Sequence, residues 1–267
     1  MEIILLRVLL PIIGACMGSF LCCQARRLHH NLTHKTKIKS HRSICLHCRK
    51  PLRWYDNIPI ISWLVLKGKC RRCHHKIGSA ELLSELGSAV AFLLLSFTID
   101  SFTLIPLEWS AFITVLVFTS ILIFLAIYDG LYGELPTYFL VVSVIIGIIF
   151  FILKYLSLYS LEHFAISPIT DVLLSTLILG GLYLALCLIS KGKWVGDGDW
   201  LLATAIAIVL GHPFLAFVEL FLANFTACLV TLPVAKGNPK TKIHFAPFLV
   251  IAFVITFTFS SQILSFI

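Results

Sequence analysis

Two cysteine pairs carry the most explicit chemical spacing in this sequence. They are Cys45-Leu-His-Cys48 and Cys70-Arg-Arg-Cys73, separated by the 21 residues 49–69. Two residues between thiolates let a tight knuckle aim both sulfurs at one metal ion, and two knuckles complete a tetrahedral site of the kind zinc takes. The separation exceeds the usual ~15–20 residues by one. The competing reading is two redox dithiols or free thiols. A cytoplasmic position argues against stable disulfides, and a small insert with little apolar core favours zinc. Four thiolates leave no open coordination position, so the expected zinc is structural. His47, His74 and His75 are expected at the surface, not as ligands. Cys16, Cys22, Cys23, Cys187 and Cys228 sit in apolar runs and read as small buried hydrophobes.

Carboxylates are the second source of chemistry. Of thirteen Asp and Glu, Asp129 closes an apolar run in Ile127-Tyr128-Asp129-Gly130, with Pro136 seven residues on, and Asp199 opens another in Gly196-Asp197-Gly198-Asp199-Trp200. Two aspartates at one depth can share a proton, which supplies an acid and a base that together activate water. That is aspartyl-protease chemistry. Gly196 and Gly198 allow backbone conformations and close approach that a side chain would block, leaving room for a substrate strand. Gly-Asp at a helix start is also a plain N-cap; the matching Asp129 moves the reading towards catalysis. Asp197 and Glu134 are neighbouring alternatives. Glu2, Asp100, Glu108, Glu162 and Asp171 are expected to be solvated near outer loops, Glu219 to reach the outer interface, and Asp56 to brace or cap a loop.

The elements that must position these groups are apolar helices. Residues of the AVILMFWYC set make up 59% of the 267 and charged residues 13%, against a usual ~45–50% and ~25%, and the mean hydropathy is +0.97. Such a composition excludes disorder, a nucleic-acid-binding tail protein and a disulfide-dense secreted module. Eight runs qualify as spans: Ile3–Cys23, Leu82–Ile99, Ala111–Tyr128, Tyr138–Leu158, Val172–Ile189, Trp200–Leu210, Phe214–Val234 and Phe245–Phe266. The sixth is short enough to be re-entrant.

Charge placement tests that count. With the N-terminus outside and all eight runs crossing, the inner segments are 24–80, 129–137, 190–199 and 235–244. They hold 19 of the 21 basic residues, only Arg7 and Lys154 being left over. Lys and Arg concentrate in cytoplasmic loops. The net charge of +8 is thereby assigned to the membrane side and not to nucleic acid. The same topology places Asp129 and Asp199 at the cytoplasmic ends of their helices. The first run has no basic n-region and no clear cleavage site, and reads as a retained helix.

The expected architecture is an all-α polytopic membrane protein of about eight transmembrane helices with a four-cysteine, zinc-binding cytoplasmic insert between helices one and two. Its parts are a first helix over 1–23, the insert over 24–80 and a transmembrane aspartyl peptidase domain over 81–267.

With these residues in place the chain resembles the bacterial type IV prepilin peptidases, or leader peptidase/N-methyltransferases. The strongest stretch runs from Arg42-Ser-Ile-Cys-Leu-His-Cys through Leu52-Arg-Trp-Tyr-Asp-Asn-Ile-Pro59, then Ile61-Ser-Trp-Leu, Gly68-Lys-Cys-Arg-Arg-Cys73 and Ile77. Gly18-Ser-Phe-Leu21, Arg27-Leu28, Glu85, Asp129 with Pro136, Gly196-Asp-Gly-Asp199 and Phe245-Ala-Pro247 extend it over nearly the whole chain. The resemblance implies cleavage of the basic leader of prepilins and pseudopilins at the cytoplasmic face of the bacterial inner membrane. It implies Asp129 and Asp199 as the catalytic pair, and Cys45, Cys48, Cys70 and Cys73 as zinc ligands. It also implies methylation of the new N-terminal amine from S-adenosylmethionine and associates the insert over 24–80 with that activity, since members with this insert are usually bifunctional; no glycine-rich cofactor fingerprint is present. Glu85 is open between a substrate or cofactor contact and an ion pair with a cytoplasmic Arg. The expected partners are prepilin and pseudopilin precursors and membrane lipids. The sequence departs from the family pattern at Cys22 (usually Asn), Leu46 (Pro), Thr137 (often Asp), Leu201 (commonly Lys) and Ala246 (Gly).

The rival from another class is an ion-coupled membrane transporter with a cytoplasmic zinc module, since intramembrane Asp and Gly-broken helices also build cation sites. Transport sites lie near the midplane, whereas these aspartates close and open helices. A zinc-anchored assembly factor without activity is a weaker third.

Overall fold

The computed structural model describes residues 2–33, 44–45, 47–48, 50–101, 106–159, 167–192, 195–235 and 244–266. Glu162, Leu46 and nine of the basic residues counted above (Lys35, Lys37, Lys39, Arg42, Arg49, Lys193, Lys236, Lys240 and Lys242) lie outside the described residues. The chain divides into two compact units, Met1–Ser96 and Phe97–Ile267.

In the first unit, α1 (Glu2–Thr33) packs along α3 (Ser79–Ser96). Their seam is built on small residues. A Cβ added at Gly14 would lie 2.5 Å from the Ser88 carbonyl oxygen, and one at Gly18 would overlap the Ser84 carbonyl oxygen. Close backbone approach of this kind is how helices associate in lipid, where burial of apolar surface supplies no driving force. α1 runs ten residues past Cys23, so the polar stretch begins as a continuation of the first span. Between α1 and α3 lie a 3-10 turn (Trp54–Asn57), the short α2 (Ile61–Val65) and two isolated antiparallel bridges, Ile44 with Pro51 and Lys69 with Lys76.

In the second unit, α4 (Pro106–Tyr132) packs on α5 (Thr137–Tyr159) and on α10 (Ala246–Thr258). The next span is α6 (Ser167–Thr176), a π-helical turn (Leu177–Gly181) and α7 (Leu182–Ser190) in succession. Then come α8 (Asp199–Leu210), α9 (Pro213–Ala235) and the short α11 (Ser260–Leu264). α8 is the core helix: Leu202, Ala203, Ala205, Ile206 and Ala207 are fully buried. Its alanines admit close neighbours. Ser175 donates to the Ala207 carbonyl at 2.8 Å, and a Cβ at Gly180 would overlap the Thr204 hydroxyl.

Six helices among the described residues are long and apolar enough to cross a membrane, and the chain is a multi-pass membrane protein. The other two expected spans are helices too, but shorter. α8 has 12 residues, about 18 Å at ~1.5 Å per residue, against a hydrocarbon core of ~30 Å. α10 has 13 residues and ends at Phe259 before α11 resumes. Among the described residues no strand forms beyond the two bridges.

Some sequence expectations fail on burial. Cys22 and Cys187 are buried and Cys23 partly so, but Cys16 and Cys228 are exposed on helix surfaces. In a membrane the outside of a bundle is apolar as well, so an apolar run does not fix which side faces protein. Glu108 is buried in the first turn of α4 and not solvated. Glu219 does not reach an interface: it is wholly buried in α9, and its carboxylate oxygens make no hydrogen bond among the described residues.

Candidate active site and metal centre

Asp129 lies in the last turn of α4 and Asp199 is the first residue of α8, so one side chain closes a helix and the other opens one. Both are 7% exposed, while Asp197 and Glu134 are exposed. A backbone N–H holds each carboxylate. Asp199 Oδ2 accepts from Gly196 N–H at 3.0 Å, and Asp129 Oδ2 accepts from Ala246 N–H at 3.2 Å. The N-cap of α8 is Gly198, so Asp199 reaches back from inside the helix and is not itself the cap. Asp129 in turn sits at the N-terminus of α10, where unpaired N–H groups and the helix dipole favour negative charge. His244 Nδ1 is 3.6 Å from Asp129 Oδ1, beyond hydrogen-bond distance.

Phe245-Ala246-Pro247 enters the sequence analysis only as a family likeness, without a role, and the preceding His244 does not enter it. The fold gives this segment a role, since it brings an N–H and an imidazole to Asp129 from 117 residues away. The Phe245 ring packs on Tyr183 at 5.5 Å, and the Tyr183 hydroxyl accepts from Asn224 Nδ2 at 3.0 Å, which ties α7, α9 and the start of α10 together behind the pair.

The glycines act differently from the expectation. Gly198 has φ −90°, a conformation open to any residue. A Cβ there would lie 2.8 Å from Leu135 Cβ and 3.1 Å from Leu140 Cδ1, so the chain itself fills the space reserved for a substrate strand. A Cβ at Gly196 would stand 3.2 Å from Asp199 Oδ2. Pro136 accepts the Phe139 N–H at 3.0 Å in the turn that starts α5 beside these contacts. Asp197 accepts from the Cys187 thiol at 3.3 Å.

In the first unit each cysteine pair sits in a tight turn closed by one of the two bridges. Cys45 N–H donates to the Lys50 carbonyl at 3.0 Å and Cys70 N–H to the His75 carbonyl at 2.9 Å. All four sulfurs lie within 4.8 Å of one another. Cys45 and Cys73 are 3.8 Å apart, the edge expected of a tetrahedron with metal–sulfur bonds of ~2.3 Å. Backbone N–H groups of Cys73 and Arg72 pull the Cys70 thiol down to about 7. Cys73 accepts a backbone hydrogen bond from His75, yet burial and its three sulfur neighbours push it up to about 11. His47 and His75 stack on each other at 4.2 Å, and neither belongs to the cluster.

Around the knuckles, Asp56 caps the Trp54–Asn57 turn through Arg53 N–H and pairs with Arg71 at 2.8 Å. Glu85 makes a backbone contact within the unit. Its Oε2 accepts the Ile60 N–H at 2.7 Å and thereby holds a β-branched residue at φ 63°, an unfavourable conformation. Arg26 pairs with Glu81 at 2.7 Å.

Comparison with known proteins adds the following. Residues 12–99 match the Bacterial Peptidase A24 N-terminal domain family. A prepilin leader peptidase/N-methyltransferase of Dichelobacter nodosus is 30% identical over 83% of this chain and 72% of its own length. One of Vibrio cholerae is 28% identical over 94% and 95%. A type 4 prepilin-like proteins leader peptide-processing enzyme of Escherichia coli is 54% identical over 55 residues, 21% of this chain and 20% of its own. No solved structure matches.

Proposed function

This chain belongs to the prepilin leader peptidase/N-methyltransferase family, and from that premise we propose that it cleaves the basic leader from type IV prepilins and pseudopilins with Asp129 and Asp199, then methylates the new N-terminal amine. Family membership makes it an enzyme. The observation that supports the aspartate pair is its burial at helix ends within one unit, while the neighbouring Asp197 and Glu134 are exposed.

In this mechanism the two carboxyls share one proton. The ionised one takes a proton from water as the water oxygen attacks the scissile carbonyl, and the protonated one donates to the carbonyl oxygen. When the tetrahedral intermediate collapses, the C–N bond breaks and the leaving amine takes a proton from the pair. The N–H groups of Gly196 and Ala246 hold one oxygen of each carboxylate, which keeps both side chains in place for the reacting atoms. The substrate is itself a membrane protein and reaches the site by lateral diffusion. Charge placement in the sequence supports a site at the cytoplasmic face, and the family resemblance supports the bacterial inner membrane.

The thiolate tetrad fits zinc by donor type and spacing. Cys45, Cys48, Cys70 and Cys73 would hold the ion, which would brace the insert and take no part in cleavage. S-adenosylmethionine supplies an activated methyl group on a sulfonium sulfur; the product amine gains that methyl and gives up a proton.

The test is a cleavage assay on a co-expressed prepilin, with mass spectrometry of the product N-terminus. Asp129→Ala and Asp199→Ala are each expected to insert normally and leave the leader uncleaved. Asp197→Asn and Glu134→Gln are expected to cleave. Normal cleavage by either alanine variant would remove the pair from the mechanism. A mass increase of one methyl on the wild-type product reports the second activity.

A further inference from the structure

A cavity of about 440 Å³ opens within the first unit, bounded by α1, α3, α2 and both cysteine turns. Its volume is within the ~300–1,000 Å³ of small-ligand pockets. Its lining carries buried polar atoms with no hydrogen-bond partner among the described residues. These are Trp63 Nε1 and Glu81 Oε2, although Glu81 Oε1 binds Arg26. A buried donor or acceptor left unpaired is costly, so two on one wall mark a surface shaped for something else. The wall is also stiffly built. The Trp63 ring lies over bare Gly68, where an added Cβ would be 2.8 Å from Cζ2. Glu85, which also lines the cavity, clamps the turn before α2.

The chemistry on offer is specific. Carboxylates of Glu81 and Glu85 favour a cation. Trp63 adds an aromatic face and an N–H donor. Arg26 carries a planar fork suited to a carboxylate. A ligand that satisfies all of these combines a positive centre, a flat heteroaromatic ring with acceptor atoms, and an amino-acid end. We propose that this cavity binds the methyl donor, S-adenosylmethionine, with Trp63 and Glu81 as binding residues and Arg26 beside them. The proposal rests on the N-methyltransferase reading above and assigns that activity a place.

The experiment measures equilibrium binding of S-adenosylmethionine and of S-adenosylhomocysteine to the full chain in detergent, by calorimetry, for wild type, Trp63→Phe and Glu81→Gln. Metal content and thermal midpoint are checked for each variant. Trp63→Phe keeps an aromatic face and loses the donor, and is expected to weaken both ligands about fivefold. Glu81→Gln keeps the shape and loses the charge. It is expected to weaken the sulfonium ligand at least fivefold more than the neutral thioether. Ultraviolet cross-linking of methyl-labelled S-adenosylmethionine to the wild type is expected to label peptides from residues 1–96; this readout stands even if a variant misfolds. Wild-type binding and product methylation that survive in both variants, or label confined to residues 97–267, would overturn the cavity assignment and leave the methyltransferase reading intact. A wild type that neither binds the donor nor yields a methylated product would overturn both.

Discussion

A carboxylate is useful for catalysis only if its environment holds it, and Asp129 and Asp199 are held by different means. Asp199 bonds to Gly196 N–H three residues back, a local contact that follows from the turn before α8. Asp129 depends on Ala246 N–H, a contact across 117 residues. The four cysteines stand at the same scale. Each knuckle is closed by hydrogen bonds within a few residues, and only the meeting of the two requires the fold. Cys70 is the most enclosed, at 4% exposed. Cys70→Ser is expected to lower bound zinc from one per chain towards none in elemental analysis, because three thiolates and a hydroxyl make a far weaker site. Retention of a full equivalent would remove Cys70 from the ligand set.

At the scale of elements, two helix seams depend on glycine for closeness and not for conformation. Gly18 lets α1 lie against the Ser84 and Ser88 turns of α3, and Gly198 lets the start of α8 approach Leu135 and Leu140. Gly18→Leu must push the seam apart, and is expected to cost about 1–3 kcal/mol or more, read as a fall in thermal midpoint. Gly87, also on α3, faces open space. Gly87→Ala is expected to be neutral or stabilising by up to ~1 kcal/mol. Equal effects of the two substitutions would show that the seam does not depend on contact at Gly18. The spacing Gly14-x-x-x-Gly18 is a packing signal legible in the sequence. Its partner could not be read there, because nothing in α1 names the helix it meets.

At the scale of the whole molecule, the backbone N–H groups of Gly196 and Ala246 that bond to the aspartates lie within residues 97–267. The thiolate tetrad and the donor cavity are built from residues within 1–96. The two chemistries are therefore expected to separate. Enzyme treated with a chelator should still remove the leader while the product loses its added methyl, both read in one mass spectrum. Loss of cleavage in step with loss of metal would mean that the insert also supports the peptidase unit.

What the sequence determined by itself was set by composition, spacing and local geometry. Apolar runs must become helices in a bilayer, since no water is present to satisfy the backbone. C-x-x-C spacing closes a knuckle without help from distant residues. Aspartates at the ends of apolar runs stand out because charge is costly there. Tertiary structure alone decided which polar groups are enclosed. Glu108 and Glu219 turned out buried and Cys16 and Cys228 exposed, because hydropathy does not distinguish a helix face packed on protein from one packed on lipid. It also decided that Ala246 holds Asp129, that Glu85 clamps Ile60, and that Trp63 and Glu81 share a cavity wall. Those contacts join segments far apart in the chain, and their chemistry resides in a backbone N–H or a side-chain direction, which residue identity does not encode.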